Sequence, residues 1–171
     1  LQVHSIKVAD DWAKARTSDD HRIVVAVDNT FLGPILQRPL ELGADLNIYS
    51  ATKYIGGHSD LVAGAVSGES EAMAKVFEYR TFLGGMADPH TSWMLARSME
   101  TLAIRVERQS RSARQVLDHL QKSPGIPVKG IHKIFSAWAE DLAGSGDFKS
   151  AGIAQEQQVN GGGMFAMELP G

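Results

Sequence analysis

Four residues have the types and the spacing of a reactive site. Asp28 ends the apolar run IVVAVD, and Ser50, Thr52 and Lys53 lie at and just past the end of a second run, LNIYSATK. A lysine amine can bond covalently to a carbonyl carbon. A carboxylate facing a ring nitrogen favours that nitrogen's protonated form. Hydroxyls, together with backbone N–H groups, suit a phosphate. These groups can act together only if the two runs are neighbouring strands that finish at one rim.

The flanking sequence supports that arrangement. Ile23 to Val27 is a continuous run of β-branched residues and alanine, the pattern of a strand buried on both faces. GPILQRPLELGAD follows, with Pro39 suited to a first helical turn and Gly43 to a helix end. Leu46 to Tyr49 is a second strand. A β–α–β unit with short joints implies parallel strands and a right-handed crossover. In an open parallel sheet, ligands bind beyond the carboxyl ends of the strands, where Asp28, Ser50, Thr52 and Lys53 are found.

The remaining elements follow the same logic. ADDWAKAR is helix-compatible, LVAGAVSG is a third apolar strand and SEAMAKVFEYRTFL is a helix. Asp88-Pro89 opens a long helix, with Asp at the N-cap and Pro in the first turn. Its apolar stripe is Trp93, Ala96, Met99, Leu102, Val106, Ala113, Val116 and Leu120, and it stops at Ser123-Pro124-Gly125. Some 35 residues at ~1.5 Å each would span about 50 Å, so a break near Gln109-Ser110 is expected. Trp93, Met94 and Met99 read as core. AEDLAGSGDFKSAG reads as loop or short helix, and GGGMFAMEL as a strand entered through glycines.

Composition narrows the function classes. The chain has 171 residues, 43% of them hydrophobic and 22% charged, as in an ordinary globular protein. A net charge of −3 offers no general attraction to nucleic acid or an anionic membrane. Cysteine is absent, so disulfides, thiolate nucleophiles and cysteine zinc sites are excluded, and a reducing cytoplasm is the expected setting. No apolar run approaches the roughly 20 residues of a membrane span. No secretory h-region opens the chain, which lacks an initiator Met and ends just after a strand-like run; a fragment is expected.

An amine, an acid and two hydroxyls on one rim are what pyridoxal 5'-phosphate (PLP) requires. Its aldehyde is held by a lysine, its pyridine nitrogen by a carboxylate and its phosphate by hydroxyls. Each residue also has a plainer reading. Asp28 could cap the following turn, Lys53 could be a surface lysine, and Ser50 and Thr52 could be turn-formers. In GGHSD, consecutive residues cannot face one another as a catalytic triad, and His58 with Asp60 supplies too few metal ligands. Arg105, Arg108, Arg111 and Arg114 read as a solvated face paired with Glu107 and Asp118.

The stretch VDNTFLGPILQRPLELGADLNIYSATKYIGGHSDLVAGAVSG closely resembles the core of the Cys/Met-metabolism PLP enzymes. That family includes cystathionine γ-synthase, the cystathionine lyases, methionine γ-lyase and the homoserine-ester sulfhydrylases. The likeness continues through TFLGGMADPHTSWMLARSMETLAIRVERQSRSA and covers about residues 1–122; GGGMFAMEL is similar to the first strand of the family's C-terminal domain. The resemblance implies an α/β chain: the later part of a PLP-dependent transferase fold type I (aspartate aminotransferase-like) large domain, residues 1–107. Residues 108–171 would be the interdomain helix and the start of a small α+β C-terminal domain.

It further implies that Lys53 is the Schiff-base lysine, Asp28 the pyridine-nitrogen partner, and Ser50 and Thr52 the phosphate ligands. The implied activity is transsulfuration at the γ-carbon of a homoserine-derived or sulfur amino acid, cystathionine γ-synthase-like. Methionine γ-lyase or cystathionine lyase is the alternative, and a noncatalytic α/β interaction domain a further one. The implied parent is a cytoplasmic homotetramer with an amino-acid substrate and neither nucleic-acid nor membrane partners. The chain departs from the family at Tyr49, where His is frequent, and at Leu32-Gly33, where Ser or Thr often precedes the proline. Residues 126–151 lack the usual Tyr-Pro-Gly-Leu-type linker.

Overall fold

The computed structural model describes residues 3–122, 133–136 and 148–168. The chain falls into two compact units, Ser5–Ala103, and Ile104–Gly171 together with Leu1–His4.

The first unit opens with α1 (Ile6–Lys14), where the Ser5 hydroxyl accepts from the Val8 N–H at 3.3 Å and caps the helix. Then come β1 (Ala26–Asp28), α2 (Gly33–Leu36), a 3-10 turn (Pro39–Leu42), β2 (Leu46–Ser50) and β3 (Gly64–Gly68). Pro39 sits in the first turn of its short helix, and Gly43 ends it at φ +103°, as their residue types imply. A Cβ at Gly43 would also run into the Asp10 carboxylate.

The strand order is β1-β2-β3. β1 and β2 are parallel, with Asp28 opposite Ile48. β3 is antiparallel to β2, so the sheet is mixed. The chain between Ser50 and Gly64 contains no helix that could carry it back across the sheet. Gly68 lies opposite Leu46, where a Cβ would strike the Asp45 carbonyl oxygen and the Leu46 side chain.

The expected strand from Ile23 to Val27, buried on both faces, is corrected. β1 begins at Ala26, because Val25 gives its N–H to the Asp45 carboxylate at 2.7 Å. β2 is covered on one side only, and β3 is exposed on both. Asn47 and Tyr49 are buried, whereas Ile48 and Val66 are each 37% exposed. Arg22 joins the approach to β1 to the start of β2 and to the N-terminal end of α3. It reaches Asp45 at 2.7 Å, Glu69 at 3.2 Å and Glu71 at 3.0 Å.

The helix α3 (Ser70–Leu83) buries none of its residues and presents Phe77, Tyr79, Phe82 and Leu83 outward. α4 (Pro89–Met99) starts as expected: Asp88 accepts from the N–H groups of His90 and Thr91. The long helix breaks at Glu100-Thr101 rather than near Gln109-Ser110. There the N–H and hydroxyl of Thr101 both turn back to the Ser98 carbonyl, each at 3.4 Å, a local bond that competes with helix continuation.

α5 (Leu102–Lys122) buries Leu102, Val106, Ser110, Ala113 and Leu117. The inner stripe therefore uses Leu117 in place of Val116. Trp93 and Met99, read as core, are 57% and 54% exposed. Trp93 instead stacks on the His90 ring, centroids 5.9 Å apart, with the Arg97 guanidinium 5.7 Å from its own centroid. On the arginine-rich side of α5, Arg108 and Arg111 are exposed as expected, with Arg111–Glu107 at 2.6 Å, whereas Arg105 and Arg114 are half-buried, Arg114 on Asp118 at 3.0 Å.

In the second unit, β4 (Lys133–Ser136) pairs antiparallel with β5 (Phe165–Glu168), the strand expected after Gly161–Gly163. α6 (Phe148–Gln157) covers the end of the segment read as loop or short helix. The expected helix stop at Ser123-Pro124-Gly125 lies outside the described residues. Among the described residues, no helix is long and apolar enough to cross a membrane.

Candidate active site

The parallel pairing of β1 with β2 brings the sequence candidates to one rim. Asp28, Ile48 and Ser50 share the open face of the sheet, because Asp28 pairs with Ile48 and Ser50 is two residues further on. Lys53 follows in a turn whose N–H donates to the Ser50 carbonyl at 3.1 Å.

Asp28 does cap the following turn, but with one oxygen. Oδ1 accepts from the Thr30 N–H at 3.0 Å, and Oδ2 has no partner among the described residues. The exposed Lys53 amine and the Ser50 hydroxyl likewise have no partner among the described residues. Thr52 differs. Its hydroxyl donates to the Ala63 carbonyl at 3.2 Å and accepts from the Ala63 N–H at 3.0 Å, closing the loop between β2 and β3. The same loop is held by His58 Nδ1 against the Gly56 carbonyl at 2.7 Å. Next to Lys53, burial pushes the Tyr54 phenol up from its ordinary value, so it is a neutral hydroxyl at neutral pH.

Two residues given no role from sequence, Asn29 and Thr30, and one noted only as a departure, Tyr49, bond around the strand ends. The Thr30 hydroxyl accepts from the Ser50 N–H at 2.7 Å. Asn29 is 2% exposed; its backbone N–H donates to Ile48 at 2.8 Å, and its amide donates to the Gly33 and Gln37 carbonyls at 3.0 Å. On the covered face the Tyr49 hydroxyl accepts from Asn47 Nδ2 at 2.5 Å and Asn29 Nδ2 at 3.5 Å. The amide oxygens of Asn29, Gln37 and Asn47 are buried without a hydrogen-bond partner. Each such group costs about 1–3 kcal/mol. The available signal was the polar residues alternating with apolar ones in NIYS, unusual on the buried side of a strand.

The rim thus offers an unpaired amine, an unpaired carboxylate oxygen and an unpaired hydroxyl. That donor set fits a cofactor carrying an aldehyde, a basic ring nitrogen and a phosphate. The fold agrees with an α/β enzyme of the PLP-dependent fold type I, present in part. The sequence pattern of the Cys/Met metabolism PLP-dependent enzymes matches residues 3–170, so it extends through the segment whose linker differs from the family's.

Among curated relatives, the cystathionine γ-synthase/O-acetylhomoserine (thiol)-lyase of Bacillus subtilis is 42% identical over 66% of this chain and 30% of its own. The cystathionine β-lyase of Coxiella burnetii is 37% identical over 96% of this chain and 40% of its own. A solved methionine γ-lyase from Micromonospora echinospora superposes with a TM-score of 0.84 and 30% identity, covering 100% of this chain and 43% of that one. The chain belongs to the Cys/Met metabolism PLP-dependent enzyme family, whose cofactor is pyridoxal 5'-phosphate. It spans well under half the length of these relatives.

Proposed function

We propose that the protein of which this chain is part performs transsulfuration chemistry at the γ-carbon of a homoserine-derived or sulfur amino acid, in the manner of a cystathionine γ-synthase. The observation that carries the reading is the unpaired Lys53 amine on the rim that also holds Asp28 Oδ2 and the Ser50 hydroxyl. Pyridoxal phosphate, when bound, supplies a protonated ring that accepts electron density from the substrate carbons.

The chain's own residues do the rest. Lys53 would hold the aldehyde carbon, and its free amine would move protons at the substrate's α and β carbons. Asp28 would keep the ring nitrogen protonated with the oxygen that is not engaged by the Thr30 N–H. The Ser50 hydroxyl is the readier phosphate donor. A hydroxyl has one hydrogen, and Thr52 has committed its own to Ala63, so Thr52 can donate to phosphate only by releasing that carbonyl. The reading carries with it an amino-acid substrate, a cytoplasmic setting and a homotetramer.

A carbon–sulfur lyase is the second reading, favoured by the cystathionine β-lyase match across 96% of this chain. Assays of the full-length protein decide between them. A homoserine ester with cysteine should give cystathionine if the synthase reading holds. Keto-acid release from cystathionine or methionine, without that replacement, would establish the lyase. Absence of both activities and of PLP absorbance would leave the noncatalytic interaction domain.

A further inference from the structure

We propose that Tyr49 is a positioning residue: its hydroxyl, set between the Asn29 and Asn47 carboxamides on the covered face, fixes the spacing between the Asp28 and Ser50 ends of β1 and β2. The inference rests on the cofactor reading above, since that spacing matters chemically only if one ligand engages both strand ends.

Tyr49 lies between Ile48, the partner of Asp28, and Ser50, but points to the opposite face. It is 8% exposed, and its neighbours Asn29 and Asn47 are 2% and 5% exposed. Asn47, two residues earlier on the same strand and face, holds the phenol. The phenol also lies 3.5 Å from Nδ2 of Asn29, which follows Asp28 directly in the chain and gives its amide hydrogens first to the Gly33 and Gln37 carbonyls at 3.0 Å. The contact therefore crosses from β2 to the end of β1.

Asn29 does not stand alone at that point. Its amide also takes the Gly33 and Gln37 carbonyls, so the turn beyond β1 is tied to the same hub. Three amide oxygens remain without donors in this cluster and its neighbour Gln37. Apolar side chains would fill the space without leaving polar atoms unpaired. What they could not do is hold one strand end against the other by directed bonds. A polar hub behind a rim of reactive groups is therefore better explained by geometry at the rim than by packing.

The test uses the full-length protein, wild type against Tyr49→Phe, which removes one oxygen and keeps the ring. Apo-protein is titrated with pyridoxal phosphate by absorbance, the pH midpoint of the bound cofactor's absorbance is recorded, and thermal unfolding of the apo-protein is followed. Tyr49→Phe is expected to bind the cofactor about tenfold more weakly and to shift the pH midpoint, because Asp28 and Lys53 no longer meet the ring at the same spacing. A variant with lower apo-protein stability but wild-type affinity and midpoint would overturn the inference and leave Tyr49 a packing residue. If Tyr49→Phe does not fold, Asn47→Ala carries the same expectation and the same refutation. Wild-type protein that takes up no cofactor, or attaches it away from Lys53, would overturn the site assignment and this inference with it. Uptake at Lys53 with an unaltered variant overturns the inference alone.

Discussion

The Thr30 hydroxyl accepts the Ser50 backbone N–H at 2.7 Å, so the last residue of β2, paired with Gly64 of β3 on its other edge, is held on the β1 side by a side chain just beyond β1. Thr30→Val keeps the shape and removes the acceptor. With a part-buried N–H left unpaired, stability should fall by about 1–3 kcal/mol. Urea unfolding of the full-length protein would measure it, and Thr30→Ser should lose much less. Equal losses in both variants would show that the methyl group, not the bond, is what counts.

Among the described residues, Lys53 is the one lysine at the strand-end rim. Borohydride reduction of the cofactor-loaded full-length protein should leave the label on the peptide containing Lys53, and Lys53→Ala should abolish turnover. Label on any other lysine refutes the assignment.

Asp28→Asn retains an oxygen for the Thr30 N–H and loses the charge. Cofactor binding should persist, while proton abstraction from substrate slows by orders of magnitude, on the order of several kcal/mol of barrier. Single-turnover kinetics would read this directly. Rates near wild type would reduce Asp28 to the turn cap that it also is.

Asp88 accepts hydrogen bonds from the Thr91 hydroxyl and from the Thr91 and His90 N–H groups, which hold its carboxyl below the ordinary value of 3.8. A depressed value means that the charged form is stabilised by folding. That contribution is present above the ordinary value and is lost as pH falls through the depressed one. Asp88→Ala should therefore melt below wild type at neutral pH, with the gap closing as the solution is acidified past that range. A gap independent of pH would point to the helix start alone.

The outward surface of α3 carries Phe77, Phe82 and Leu83, 61%, 85% and 76% exposed and spread around the helix. Residues 1–171 produced alone are expected to self-associate through it, bind the cofactor weakly and turn over no substrate. Static light scattering of this chain, with and without Phe82→Ser and Leu83→Ser, would show it. A monodisperse, active wild-type chain would contradict the expectation.

The parts of the candidate site readable from sequence were those with a residue-type signature at a strand end: Asp28, Ser50 and Lys53. Their grouping followed from the parallel β1–β2 pair, which the short α2 connection implied. What escaped depends on contacts distant in the chain. Asp45 truncates β1 by capturing Val25, and no local pattern announces that. The helix break at Thr101 was hidden because its flanks keep a helical period, while the competing bond to Ser98 is a matter of geometry. Tyr49 was noticed only as an unusual residue at its position. The role proposed for it required knowing that Asn29 lies across from it.

Gly43 and Gly68 have a bearing on how variation in this chain should be interpreted. Neither touches the rim, yet a Cβ at one meets Asp10 and at the other meets the backbone beside Leu46. In a saturation scan scored by growth or activity, both positions should tolerate almost nothing, as the rim residues do. Abundance would separate the two groups: substitutions at the glycines should deplete the protein, whereas those at Lys53 and Asp28 should leave its level intact.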